Sequence, residues 1–357
     1  MAKRIYSKKN KSMKRGIFVL WLILMAMSLQ AQETAVTKAF FKKRDFGNYF
    51  YSDAYAPITS IGIGMMPLFE SYDLSEGRNE VVLAAEPKLG VQLPVYYYKD
   101  QFKRWSLSTP VSFSVLFDFA EERTAPILNT DYRFALLEFN YSRSLSGSAI
   151  KNIGFRFIPF FHESTHVGDE LIIDKLRDSI PVARINVSYE TFEIAAIIND
   201  PYNQKIKNHS ARLGAKFLWN RKKGYYTADS LEMSNPLEIK PSKRWIEPYV
   251  QYQYQNPDSW LSNNKMMFVF SQDLLLRVRY EYPFYLKNQS GSIDYCDLGE
   301  AYQLCSTTMA GWKFYNEKNE LSNSSLFFKF YWGINPHGQF RNIPTYVWMG
   351  INYVYDF

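Results

Sequence analysis

The sequence predicts an all-β fold, an antiparallel transmembrane β-barrel of about 12 strands. Three observations predict it. From about residue 58 to the end, apolar residues recur with a period of two, the signature of strands with one apolar and one polar face. Aromatic residues make up 17% of the 357 residues, with 27 Tyr and 27 Phe, a load that suits strands and suits contact with lipid headgroups. A secretory signal precedes the strands.

That signal comes first in the chain. Lys3, Arg4, Lys8, Lys9, Lys11, Lys14 and Arg15 form a basic n-region, and Ile17 to Leu29 is an uncharged apolar run. The run is too short to span a bilayer as a helix, which needs roughly 20 residues. Cleavage is expected after Ala31, so residues 1–31 are read as a signal peptide. Residues 32–57, with Lys42-Lys43-Arg44, are read as a periplasmic lead-in, and residues 58–357 as the barrel. The formal charge of +7 lies entirely in the signal, because removing its seven cations leaves 35 Lys+Arg against 35 Asp+Glu. Bulk charge therefore argues against a nucleic-acid partner.

Strands are expected at 58–68, 80–86, 88–98, 104–119, 131–143, 152–162, 183–198, 209–219, 244–256, 266–284, 325–334 and 345–357. Phe113, Val115 and Phe117 alternate with Ser112, Ser114 and Leu116. From Met266 onward, Phe268, Phe270, Leu274 and Leu276 share one face, opposite Ser271, Asp273, Arg277 and Arg279. Connections carry Asn, Asp, Ser and Gly, as at Asn199-Asp200-Pro201. Residues 285–324 read as one large extracellular loop, with room for a strand inside it. The loop holds Cys296 and Cys305, which an oxidising compartment would join as a disulfide. The last strand ends in Tyr353, Tyr355 and Phe357. An aromatic terminus on an alternating strand resembles the assembly signal of bacterial outer-membrane barrels. Together with the export signal it puts the protein in the outer membrane, with membrane lipid and the assembly machinery as partners. A bilayer admits strands only when every edge is paired, which closure achieves.

The stretch from His162 to Glu170 concentrates the chemistry. It holds two of the four histidines, a serine and three acids. His162-Glu163-Ser164-Thr165-His166 spells the H-E-x-x-H zinc signature, with Glu190 or Glu193 as nominal third ligands. That motif needs a helix so that residues four apart share a face. The lead-in Phe155 to Phe161, with Pro159 inside it, reads as strand, so the zinc reading is rejected and no cofactor is implied. On a strand, His162, Ser164 and His166 share a face. A His two residues from a Ser on a barrel strand resembles outer-membrane phospholipases and lipid A deacylases. That resemblance implies Ser164 as nucleophile and His162 as base, with Asp169, Glu170 or an acid on the neighbouring strand as orienter. Those enzymes follow the serine with Asn, whereas Thr165 and His166 follow here. Uninterrupted alternation from Ile153, Phe155, Phe157 and Phe161 puts His162, Ser164 and His166 with Arg156 on the lumen side. A lipid-cleaving site should open to the bilayer or its rim, and a bulge at Pro159 would restore that. The other readings are a binding site for a metal or headgroup that includes His166 and Arg156, a lumen lined by Arg277 and Arg279 as a channel, and a hydrogen-bonded network at the barrel mouth. His209 and His337 read as loop or rim residues.

Asp131-Tyr132-Arg133, the H-x-S-x-H-x-G-D-E spacing of residues 162–170, and Pro336-His337-Gly338-Gln339-Phe340 are similar to an uncharacterised family of exported bacterial proteins over roughly residues 85–357. The resemblance implies an outer-membrane β structure and assigns no reaction. It leaves the Glu163 position open, which makes that acid incidental. The expected protein is thus an outer-membrane barrel with a polar His/Ser/Asp/Glu cluster at one mouth.

Overall fold

The computed structural model describes residues 36–41, 48–67, 81–119, 127–146, 150–167, 183–201, 205–220, 223–227, 237–238, 243–263, 265–279, 282–287, 293–298, 301–315, 323–338 and 346–356. The described strands, in chain order, are β1 (Thr37–Phe40), β2 (Thr59–Pro67), β3 (Val81–Lys99), β4 (Lys103–Asp118), β5 (Ile127–Ser144), β6 (Asn152–Val167), β7 (Ala183–Ile198), β8 (Asn208–Asn220), β9 (Lys223–Thr227), β10 (Leu237–Glu238), β11 (Ile246–Asn256), β12 (Met266–Arg279), β13 (Tyr282–Lys287), β14 (Ile293–Leu298), β15 (Ala301–Tyr315), β16 (Asn323–Gly333) and β17 (Tyr346–Asp356).

Antiparallel pairing runs β2, β3, β4, β5, β6, β7, β8, β11, β12, β15, β16, β17 and back to β2. Met349 opposite Met65 and Tyr355 opposite Thr59 close the ring. The result is a closed 12-strand barrel. The remaining short strands lie off the ring: β1 extends β3 beside β2, β9 and β10 extend β7, and β13 pairs with β14 beyond β12 and β15.

Closure satisfies the backbone, and alternation then sorts the side chains. Ile61, Ile63 and Met65 of β2 face out at 52%, 47% and 54% exposure, whereas Ser112 and Ser114 of β4 are buried in the lumen. An apolar outside around a polar inside is the construction of an outer-membrane protein. One end has short turns. Asp100 Oδ1 builds the β3–β4 turn by accepting the Phe102 and Lys103 amides at 2.8 and 2.7 Å. Asn199 turns the β7–β8 connection at φ 51° and accepts the Lys151 amide at 2.7 Å, as Asn does more readily than most residues. Trp105 packs on Tyr96, Tyr98 and Phe139 near this end, an aromatic patch of the kind that marks a membrane interface. Long connections join the strands at the other end, so by the usual asymmetry the short turns are periplasmic and the long loops extracellular.

The lumen carries an inner segment. Residues 48–58 run inside it, so the end of the lead-in is not a free periplasmic arm. Tyr51 N donates to Gln253 at 3.0 Å, and Ser52 N to Ser271 at 3.1 Å. Asp53 meets Arg212 at 3.4 Å and Arg156 at 3.8 Å, while Lys216 Nζ sits 3.1 Å from the Tyr55 ring centroid. The physical reason is satisfaction: a lumen lined with buried Arg, Lys and Glu needs opposite charges and acceptors, and this segment supplies them. Arg277, read from the sequence as a channel residue, is buried and donates to Asn335 O at 3.1 Å.

Three further expectations need correction. The strands expected at 80–86 and 88–98 are one strand, and the loop expected over 285–324 contains β15, a full member of the ring. The Cys296–Cys305 disulfide does not form, because Cys305 is a free, buried thiol. Cys305 opposes Leu275 and Cys296 opposes Phe284, so they lie on different pairs of one long hairpin. Nine residues of extended chain cover roughly 30 Å, far beyond bridging distance. Residues 1–35, Asp169, Glu170 and Phe357 lie outside the described residues, and so do the signal and assembly features assigned to them.

Candidate functional site

β6 carries the site, and a bulge decides which way it faces. Arg156 and Ile158 point into the lumen and are buried. Against β7, the register slips between Ile158 and Phe161, so three steps on β6 match two on β7. Pro159, which cannot donate to the ladder, sits in this slip. The extra residue inverts the alternation. Phe161 now points inward, its ring 5.9 Å from that of Tyr55, and Glu163 and Thr165 follow it, buried at 2% and 1% exposure. His162, Ser164 and His166 therefore point outward. The lumen placement expected for them, and the lipid-facing placement of Phe161, are both overturned by this one residue. Arg156 stays in the lumen as expected.

On the outer face, His162 Nδ1 lies 3.3 Å from Glu190 Oε1 on β7. The strand register puts these two residues directly opposite each other. His162 stacks on Phe160 at 6.5 Å and 7° and packs on Phe134 at 5.2 Å. Ser164 is the next outward residue on β6, opposite Tyr132 on β5. His166 follows, edge-on to the Tyr132 ring at 5.8 Å. Ten residues separate His162 from the periplasmic end of β6 at Asn152. At strand rise and typical tilt that is roughly 25 Å, the height of the apolar band. The row is level with exposed Phe113, Tyr132 and Phe134.

Behind this row, on the lumen side, lies a second cluster. Arg133 Nε donates to Glu163 Oε1 at 3.0 Å and Nη2 lies 3.3 Å from Asp131 Oδ2. Asp131 also accepts from His337 Nδ1 at 3.3 Å and from the Gly338 amide at 3.0 Å. His337 Nε2 faces Glu86 at 3.9 Å, and Glu86 pairs with Lys329 at 2.5 Å. Gly338 is needed here, because a Cβ would come within 2.6 Å of Thr165 Cγ2. Thr165 in turn donates to Asn129 at 2.9 Å. The three separate stretches that carried the family resemblance thus meet around Asp131. Glu163, read as incidental, anchors the strand; His337 is a loop residue as expected, tucked into the lumen.

The zinc reading required a helix, and residues 152–167 are strand. Its two nominal third ligands part company: Glu190 faces out to His162, whereas Glu193 faces in, 3.0 Å from Arg156 and 2.6 Å from the Tyr249 hydroxyl. The sequence offered Glu190 only as a nominal zinc ligand, not as a partner of His162 on the outer face. Only the β6–β7 register identifies it, and the one available signal was Pro159.

Residues 95–256 match the family described as "Protein of unknown function (DUF1207)". The match includes residues 131–133 and 162–170 and stops short of His337. No curated protein matches the chain. Among solved structures, the chain is similar to the translocator domain of the autotransporter NalP from Neisseria meningitidis, at 8% identity and a TM-score of 0.40, covering 98% of each chain. It is similar to the outer membrane phospholipase of Salmonella typhi at 10% identity and a TM-score of 0.37, covering 88% of this chain and 94% of that one. The transport unit of the autotransporter AIDA-I from Escherichia coli gives 9% identity and a TM-score of 0.37, covering 85% and 92%. The barrel assignment rests on the closed ring of strand pairs itself.

Proposed function

We propose that this barrel hydrolyses acyl esters of lipids in the outer leaflet of the outer membrane. Ser164 is the nucleophile, His162 the base and Glu190 the orienting acid. The observation that carries the reading is the outward-facing His162 imidazole, 3.3 Å from the Glu190 carboxylate, with Ser164 two residues on along the same face. A carboxylate at Nδ1 fixes the tautomer that leaves Nε2 free to accept a proton. Residues two apart on a strand lie about 6.7 Å apart along it, close enough for a side chain as long as His to reach a Ser hydroxyl.

The surroundings support lipid as the substrate. Ionisable side chains on the lipid face cost up to about 2–4 kcal/mol at mid-depth and little near the interface. Such a placement favours a functional group at headgroup level over a structural one. In the first half-reaction, Ser164 Oγ adds to the ester carbonyl as its proton passes to His162 Nε2. The carbon–oxygen bond to the alcohol then breaks, and the imidazolium protonates the departing oxygen. In the second, water deprotonated by His162 attacks the acyl-serine and releases the fatty acid. One ester and one water become one acid and one alcohol. Glu190 takes the role that the sequence offered to Asp169, Glu170 or a neighbouring strand. Export through residues 1–31 and assembly through Phe357 belong to the same reading.

Purified protein in mixed micelles should release fatty acid from radiolabelled phospholipid or lipopolysaccharide. Ser164→Ala should lower the rate by about a thousandfold and Glu190→Gln by at least about a hundredfold, with strand content unchanged by circular dichroism. Release from neither lipid, or release that survives Ser164→Ala, rejects the assignment.

A further inference from the structure

We infer that a row of aromatic side chains just below His162 is a binding site for one fatty acyl chain of a membrane lipid. The inference deepens the hydrolase reading and rests on it for its kinetic part.

Three register slips occur at one height in this wall. β5 slips between Ala135 and Leu137, β6 between Ile158 and Phe161, and on β8 Trp219 is extra to the step from Glu190 to Thr191. A bulge re-aims side chains locally, and here the re-aimed ones face lipid. Leu136 is 67% exposed and Trp219 57%. The rings form a chain across four strands: Phe134 to Phe160 at 6.0 Å, Phe160 to Trp219 at 6.1 Å, Trp219 to Phe192 at 6.3 Å, and Phe192 stacked on Phe217 at 4.4 Å and 7°. Phe134 and Phe160 are also the two rings that pack on His162.

Position and direction identify the occupant. Apart from Phe134, which is level with His162, the row lies on the periplasmic side of it, toward the bilayer centre. A lipid ester held at His162 and Ser164 must send its chain in that direction, across the rings. Aromatic rings with few rotamers offer a fixed apolar surface, unlike the mobile chains of the surrounding lipid. The row thus holds the scissile chain still and measures its length.

Two measurements test this. A phospholipid with a photoreactive diazirine on its acyl chain is irradiated in phosphatidylethanolamine vesicles with the wild-type protein and with Ser164→Ala. Adducts should concentrate on the peptides holding Phe160 and Trp219, well above those on Phe328 of the opposite wall, which is 50% exposed. Equal labelling of both walls overturns the inference. In the hydrolysis assay, Trp219→Ala should reduce the preference for a sixteen-carbon over a four-carbon ester about tenfold. An unchanged preference overturns the specificity role. Concentrated labelling with no cleavage of either ester would leave the lipid site standing and remove the hydrolase reading.

Discussion

At the scale of single residues, adjacent positions on β6 do opposite jobs. Glu163 points in and locks Arg133 at 3.0 Å, and its neighbours His162 and Ser164 point out. Removing one partner of a buried ion pair strands the other, so Arg133→Ala or Glu163→Gln should cost about 3–5 kcal/mol. Ser164→Ala should cost within about 0.5 kcal/mol. Urea unfolding from lipid vesicles checks both, and a larger loss for Ser164→Ala than for Glu163→Gln would contradict the assigned faces. The sequence marked His162, Ser164 and His166 but misjudged Glu163. Its value depends on Arg133 and on the direction β6 faces, and neither is written in the motif. Asp131 and His337 were visible only as fragments, because their contact spans two hundred residues of chain.

At the scale of elements, the bulge at Pro159 governs the site. Spin labels at 164 and 165 read it directly: the label at 164 should be relaxed by oxygen dissolved in lipid, and the label at 165 should be shielded. The reverse pattern would mean uninterrupted alternation and a lumen-facing serine. Most strands were legible because their two faces differ; β7 occupies 183–198 as expected. β15 was not, because its faces hardly differ. Ser306 and Thr308 face outward and satisfy each other's polarity through Gln272, at 2.9 and 2.7 Å, while Met309 and Cys305 face inward. The count of about 12 came out right only because splitting β3 offset the loss of β15. Cysteine spacing misled for a related reason, since extended chain carries residues nine apart well beyond bridging range.

At the scale of the molecule, alternation and the aromatic load made the closed barrel readable, but not the segment inside its lumen. The segment 48–58 looks like a polar linker, and its role emerges only from the charges that surround it. Asp53 between Arg156 and Arg212 is the clearest case. A lumen held by this segment predicts that the wild-type protein is silent in planar bilayers, whereas a variant lacking residues 48–57 conducts. Steady conductance by the wild type would contradict the plug. The proposed chemistry lies on the outer wall instead, where His162 faces Glu190 at 3.3 Å. The most direct test is reaction of the protein in outer-membrane vesicles with a long-chain fluorophosphonate, followed by peptide mass spectrometry. A single phosphonyl adduct should form on Ser164 and be lost in His162→Ala. An unmodified Ser164 in folded protein, or an adduct that persists without His162, would contradict it.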